Sequence, residues 1–277
     1  MKMTVGKLYL CPTPLGNLED ITLRVLRILK QASRVAAEDT RHTRKLLSHF
    51  DIHVPLVSYH EHNKIKKTPY ILERLLAGED VALVSDAGTP GIADPGEELV
   101  REAIGNGIPV IALPGPVAAV TALSASGLTS TPFAFYGFIP ARGKLRKGML
   151  ADIERETKTT VFYEAPHRLL KTLSELAGMS QKDRQVVVAR ELTKIHEEFI
   201  RGTLDVVLDH FTQNPPRGEC TVLLEKKVEK MEINMSPEAL VDELLATGFD
   251  KRDAIREAAR RLGVPRRDVY NVIHKKK

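Results

Sequence analysis

Acid, imidazole and guanidinium groups crowd two short stretches of this 277-residue chain, Glu38-Asp39-Thr40-Arg41-His42-Thr43-Arg44 and Tyr59-His60-Glu61-His62-Asn63-Lys64. Such a mixture can supply both a general base and a phosphate clamp, because carboxylates and imidazoles take protons and guanidinium groups bind phosphate oxygens in pairs. Asp39 and Glu61 are candidate bases, His42 and His60 are alternatives, and Arg41 is a candidate for holding phosphate. The plainer reading makes Glu38 and Asp39 helix caps and the rest a solvated surface. A second pair of polar stretches, Tyr163-Glu164-Ala165-Pro166-His167-Arg168 and Arg190-Glu191-Leu192-Thr193-Lys194, comes later, and Arg217-Gly218-Glu219 precedes the last strand-like run. Arg168 is a further phosphate candidate.

Three turns are unusually rich in Gly and Pro: Pro12 to Asp20, Ser85 to Gly96, and Pro114-Gly115-Pro116. Glycine lets a backbone approach a ligand closely and proline stiffens the turn. Any one of them reads as a tight connection, but a twelve-residue loop carrying two aspartates asks for more. No G-x-G-x-x-G follows the first strand and no G-x-x-x-x-G-K-[ST] occurs anywhere, so neither a nicotinamide dinucleotide nor a nucleoside triphosphate is supported. No metal site is expected either. The nine histidines lack cysteine partners, and His60-Glu61-His62 is too closely spaced for two ligands on one helical face. Cys11 and Cys220 sit in apolar runs and read as buried small hydrophobes.

These turns and clusters matter because of the elements that flank them. Strands are expected at Lys7 to Thr13, Arg34 to Ala37, Pro55 to Tyr59, Val81 to Ser85 and Pro109 to Leu113. Helical faces lie between them, for example Ile21, Val25, Ile28 and Leu29. Strand-helix alternation implies a mainly parallel sheet with helices on both faces, and in such sheets ligands bind beyond the carboxyl ends of the strands, where the clusters and turns stand. A small-residue helix from Val117 to Ser126 leads to a second set of strands at Phe133 to Gly137, Thr160 to Glu164, Gln185 to Arg190, Ile195 to Gly202 and Glu219 to Glu225. Helices are expected at Leu145 to Glu156 and Pro166 to Ala177, and no element is assigned between Gly202 and Glu219. That set suits a mixed sheet in an α+β domain. After Lys230 short helices begin at Ser236-Pro237-Glu238 and are punctuated by Gly248 and Gly263, like a small helix-turn-helix appendage.

With 43% hydrophobic residues the chain can bury a large core. No run approaches the roughly 18 apolar residues of a membrane span, and no secretory leader is evident, so a cytoplasmic protein is expected. The net charge of +5 is local: Lys251 to Lys277 holds ten Lys or Arg against three Asp or Glu, a net of +7 that leaves −2 for the rest. A basic helical tail is a footprint of polyanion binding, although a solvated charged helix looks similar. Lys251, Arg252, Arg256, Arg260, Arg261, Arg266 and Arg267 are the candidate nucleic-acid contacts.

The order of TPLGNLEDIT, AAEDTRHTRKLL, SYHEHN, ALVSDAGTPGIADPG, LPGP, YEAPHR and ARELTK, followed by the basic helical end, resembles the ribosomal RNA small-subunit methyltransferase I family of the tetrapyrrole methylase superfamily. The resemblance spans roughly residues 6 to 225 and extends to the tail. It implies three parts: a parallel-sheet α/β domain at 1–116, a mixed-sheet α+β domain at 117–228 that closes over S-adenosylmethionine, and a helical segment at 229–277. It also implies a homodimer with no membrane or DNA partner, and 2′-O-methylation of a decoding-centre cytidine in the 16S rRNA of the small ribosomal subunit. Carried onto matching positions, it puts Pro14, Asp86, Gly88, Thr89, Gly115, Pro116 and Val117 at the cofactor from the first domain. From the second it adds Tyr163, Glu164, Ala189, Arg190, Gly218 and Glu219. Two positions depart from the family's pattern. Val117 replaces a small polar residue and removes one hydroxyl contact, and Lys64 replaces an acid and weakens that position as a base. A small-molecule methyltransferase of the tetrapyrrole type and a non-catalytic RNA-binding module are the competing functions. The first has no use for a +7 tail, and the second gives no reason for the three Gly/Pro turns.

Overall fold

The computed structural model describes residues 5–179, 183–226 and 235–274. The chain begins β1 (Leu8–Leu10), α1 (Leu23–Gln31), β2 (Arg34–Ala37), α2 (Thr40–His49), β3 (Leu56–Ser58), α3 (Lys64–Leu76), β4 (Val81–Val84), α4 (Glu97–Gly105), β5 (Val110–Ala112) and α5 (Ala118–Ser126). Its five strands form an entirely parallel sheet in the order β3-β2-β4-β1-β5. All four residues of β4, Val-Ala-Leu-Val, are buried, as expected of a parallel strand covered on both faces. The two-residue period sorts them. Ala82 and Val84 join Val35, Ala37 and the apolar faces of α1 and α2, whereas Val81 and Leu83 join Ala36, Ile71, Leu75, Leu99 and Ala103 from α3 and α4.

That sorting creates a crevice. The chain leaves β4 for a helix on one face, while the helices after its two neighbours, β1 and β2, go to the other. The carboxyl ends of β1, β2 and β4 therefore part around an opening, the topological switch point at which open α/β sheets bind ligands.

The following stretch runs β6 (Phe133–Phe138), α6 (Gly143–Arg155), β7 (Thr159–Glu164), α7 (Pro166–Met179), β8 (Gln185–Arg190), β9 (Glu198–Thr203), α8 (Leu204–Gln213) and β10 (Cys220–Leu224). The second sheet has the order β6-β7-β10-β8-β9, with β6 and β7 parallel and every other pairing antiparallel. One face packs on α6, α7 and α8 through Phe162, Val186, Val188 and Val222. The other is covered by α5, through Ala119, Ala122 and Leu123 against Val161, Val187, Ala189 and Leu223. The α/β character with one parallel and one mixed sheet agrees with the sequence reading. Helix α8 does not, because the sequence suggested no element there. Thr203 is both the last residue of β9 and the cap of α8, its Oγ1 accepting from Val206 N at 3.4 Å. No Gly or Pro separates Thr203 from Leu204, so nothing marks the boundary between strand and helix, although Leu204, Val207, Leu208 and Phe211 recur at i, i+3, i+4 and i+7 and form a helical face. Strand β1 is shorter than expected. Pro12 and Pro14 carry no N–H for a ladder, and beyond Leu10 only Thr13 makes a bridge, to Gly88.

The C-terminal stretch forms a separate compact unit of α9 (Pro237–Ala246), α10 (Lys251–Leu262) and α11 (Arg266–His274). Its own core is built from Leu240, Val241, Leu244, Ala254, Ile255, Ala258, Ala259 and Val269. Ser236 caps α9 through Ala239 N at 3.3 Å, and Asp250 caps α10 through Asp253 N at 2.8 Å. The junction expected at 228–229 and the three terminal lysines lie outside the described residues. Among the described residues no helix is long and apolar enough to cross a membrane.

Candidate active site

Three loops meet at the crevice and are tied together by short bonds. Thr13 and Gly88 exchange backbone hydrogen bonds in both directions, at 2.9 and 3.0 Å. Thr13 Oγ1 donates to Ser85 O at 3.0 Å, Ser85 Oγ to Gly88 O at 3.2 Å, and Thr89 Oγ1 to Pro116 O at 2.9 Å. Gly115 lies against Pro12 so closely that a Cβ there would stand 2.5 Å from the proline Cβ, which explains the glycine in the third turn. A cavity of about 340 Å3 opens above these loops, within the range of small-molecule sites. Its apolar wall comprises Leu15, Ile92, Ala93, Val117 and Ala118 from the first stretch and Phe138 and Tyr163 from the second sheet. Tyr163 also joins the halves. Its hydroxyl accepts from Ala119 N at 3.1 Å, satisfying an amide at the start of α5, where Val117 supplies no side-chain cap.

Four carboxylates line the same cavity: Glu38, Asp86, Asp94 and Glu219. Three are engaged. Asp86 Oδ1 accepts from Asp39 N at 3.0 Å, Glu38 Oε2 accepts from Asp86 N at 3.4 Å, and Glu219 Oε2 is paired with Lys194 Nζ at 3.1 Å. Asp94 makes no ion pair among the described residues. Burial, and after it the negative charge of Glu38, pushes its carboxyl up to about 6, with the nearby Ser85 hydroxyl acting against them. Burial and then the charge of Asp86 likewise raise Glu38, while His60 nearby pulls it back. Cys220 also reaches the cavity, but burial pushes its thiol up to about 12, so it stays protonated and is no nucleophile. Cys11 is buried and raised to about 12 in the same way.

Of the cofactor residues implied by the family resemblance, Asp86, Gly88, Thr89, Val117, Tyr163, Glu164 and Glu219 border the cavity. Pro14, Gly115, Pro116, Ala189, Arg190 and Gly218 do not border it. Ala189 is packed against α5, and Arg190 is bound to Glu198 at 2.8 Å and to Arg217 O at 3.2 Å. Gly218 has φ +74, and a Cβ there would strike the Glu191 carboxylate. Glu164 reaches the cavity with its backbone side only. Neighbouring residues of a strand point to opposite faces, so with Tyr163 toward α5 the Glu164 carboxylate faces α6 and α7. There it is fully buried, 2.6 Å from Thr172 Oγ1, 2.8 Å from Arg168 and 3.6 Å from Arg146. Arg168, read as a phosphate contact, is thus held by Glu164.

None of the five catalytic candidates lines the cavity. Asp39 caps α2 by accepting from Arg41 N at 2.8 Å and pairs with the Arg41 guanidinium at 3.2 Å, which lowers its pKa and weakens it as a base. His42 and Glu61 are exposed, and Glu61 pairs with Lys64 at 2.6 Å. His60 is near enough to Glu38 to act on its charge. Sequence reasoning passed over Glu38 and Asp94 as site residues. Asp94 had been noticed as the second aspartate of its loop, but only the fold surrounds it with other acids. In the C-terminal unit Arg256 pairs with Asp253, and Arg260 and Arg261 both pair with Glu257, at 2.6 to 2.9 Å. Lys251, Arg252, Arg266 and Arg267 are exposed and make no ion pair among the described residues.

Residues 7–207 match the family described as Tetrapyrrole (Corrin/Porphyrin) Methylases. The Ribosomal RNA small subunit methyltransferase I of Halalkalibacterium halodurans is 48% identical, covering 97% of this chain and 95% of its own length. The protein of the same name from Synechocystis sp. is 45% identical over 97% of each chain. A solved structure of uroporphyrin-III C-methyltransferase from Thermus thermophilus, complexed with S-adenosyl homocysteine, superposes with a TM-score of 0.58 at 20% identity. It covers 79% of this chain and 97% of that one, a likeness of fold. With its paired sheets, its carboxylate-lined crevice and relatives of this similarity over nearly its whole length, the chain belongs to the tetrapyrrole methylases and, within them, to the ribosomal RNA small subunit methyltransferase I family.

Proposed function

We propose that this protein is an S-adenosylmethionine-dependent methyltransferase that acts on the rRNA of the small ribosomal subunit, placing the methyl group on the ribose 2′-oxygen of cytidine 1402 of the 16S rRNA. The observation that carries the cofactor is the cavity lining: an apolar and aromatic wall suits adenosine, and four carboxylates suit a ligand with a sulfonium and an ammonium group. Bound there, the cofactor supplies an activated methyl group. The protein's part is to hold acceptor and donor in line and to exclude water, which accounts for much of the rate in such reactions. Tyr163, Thr89 and the turn at Gly115 set the walls against each other, so that the donor has one seat. A ribose hydroxyl is a poor nucleophile and needs a base as attack proceeds. Among Asp39, Glu61, His42 and His60, the candidate best supported is His60, because it is beside Glu38 at the cavity edge. Arg41, exposed on the same rim, and the cations of the C-terminal unit that make no ion pair among the described residues are suited to rRNA phosphates. The working form is a homodimer, as in the family the sequence resembles.

The test is incubation of the purified protein with methyl-labelled S-adenosylmethionine and assembled small subunits lacking the modification, followed by mass spectrometry of the nucleosides. Label on the ribose of that one cytidine is expected. Cofactor binding without transfer to rRNA would favour the small-molecule alternative.

A further inference from the structure

Each carboxylate of the cavity has a different claim on its charge. Glu219 is neutralised by Lys194, Asp86 accepts an amide, and Glu38 is turned toward the Asp86 amide and His60. Asp94, near the α4 end of the loop from β4, makes no ion pair among the described residues and has the Ser85 hydroxyl beside it. The groups that face it are Glu38 at the end of β2, Asp86 after β4, Glu219 before β10 and the hydroxyl of Tyr163 on β7. Three are acids and none is a cation. A half-buried carboxylate among acids is stabilised by whatever positive charge enters beside it.

We propose that Asp94 is the residue by which the cleft reads the positive charge on the sulfur of its ligand, separating the sulfonium cofactor from the neutral thioether product. This rests on the cofactor reading above. S-adenosylmethionine and S-adenosylhomocysteine share the adenosine and the amino acid portion and differ at sulfur by one methyl group and one positive charge. A neutral sulfur gives nothing back for ionising Asp94, so the product is held less tightly whenever Asp94 is charged. The raised pKa then makes the preference depend on pH: it is weak at pH 5, where Asp94 is largely protonated, and full by pH 8.

The experiment is calorimetric titration of the full chain with each of the two ligands separately, from pH 5 to pH 8, for the wild type, Asp94→Asn and Asp94→Glu. In the wild type the ratio of the two dissociation constants is expected to move about tenfold toward the cofactor across this range, the size of one pKa unit of differential interaction. Asp94→Asn is expected to hold the ratio at its pH 5 value throughout while changing product affinity less than about threefold, and Asp94→Glu to recover most of the pH response. A wild-type ratio that does not move with pH overturns the inference without needing any variant. Equal weakening of both ligands in Asp94→Asn also overturns it, since that marks a structural role. If the wild type binds neither ligand, the cofactor reading itself falls. If it binds both with a flat ratio, only the role of Asp94 falls.

Discussion

Replacing Glu164 with alanine tests whether the ends of β7 and α7 are held by a buried charge network. Glu164 and Arg146 are almost completely inaccessible. The glutamate accepts from Ala165 N at 2.9 Å and Thr172 Oγ1 at 2.6 Å and is paired with Arg168 at 2.8 Å. Arg146 keeps Glu175, at 2.6 Å, when Glu164 is lost, but among the described residues Arg168 pairs with no other carboxylate and its Nε is already buried without a partner. Breaking a buried pair by removing one member typically costs about 3 to 5 kcal/mol, because the remaining charge stays desolvated. For a chain of this length that corresponds to a Tm lowered by roughly 6 to 20 °C. Urea unfolding of Glu164→Ala, with a cycle through Arg168→Ala, measures the loss and the coupling, which should exceed about 1 kcal/mol. A Glu164→Ala protein within about 1 kcal/mol of wild type would refute the reasoning and would mean that the network is solvated or readily rearranged.

Val117→Thr gives α5 the side-chain cap it lacks while keeping one methyl on the cavity wall, and should raise stability by about 1 kcal/mol in chemical denaturation. The raised pKa of Asp94 means that the folded state holds this proton more tightly than the unfolded state. Its contribution is therefore present below pH 4 and lost as pH rises through about 6. Asp94→Asn should accordingly gain about 1 kcal/mol on wild type between pH 4 and pH 7, allowing for the group's partial exposure, as read from urea midpoints at the two pH values. In the C-terminal unit, replacing Lys251, Arg252, Arg266 and Arg267 by alanine should weaken rRNA binding and reduce the slope of log affinity against log salt by about 3. Replacing the paired Arg256, Arg260 and Arg261 should change that slope less, and a quadruple variant with an unaltered slope would remove these four as phosphate contacts.

Most of the scaffold was legible in the sequence, for local reasons. Strand β2 and strand β8 fall where the apolar runs put them, since a buried parallel strand or an alternating strand announces itself by its own residues. Ser236 marks a helix start because a cap bonds within three residues of itself. Even the ion pairs that occupy Arg256, Arg260 and Arg261 are written in the i,i+3 and i,i+4 spacing of Asp253 and Glu257, although a count of charge passes over them. The site was legible as motifs and much less as roles. Tyr163 and Glu164 are neighbours in sequence and lie on opposite faces of β7, and only the packing of α5 decides which of them sees the cavity. Asp39 and Asp94 look alike as aspartates. One spends its charge on the helix and arginine next to it, while the other is left among acids brought in by β2, β4 and β10 from positions 38, 86 and 219. Sequence determines what depends on neighbours within a turn or a strand. Burial and the sum of charges at a point depend on segments far apart in the chain, and these were decided only when the two sheets closed around the crevice.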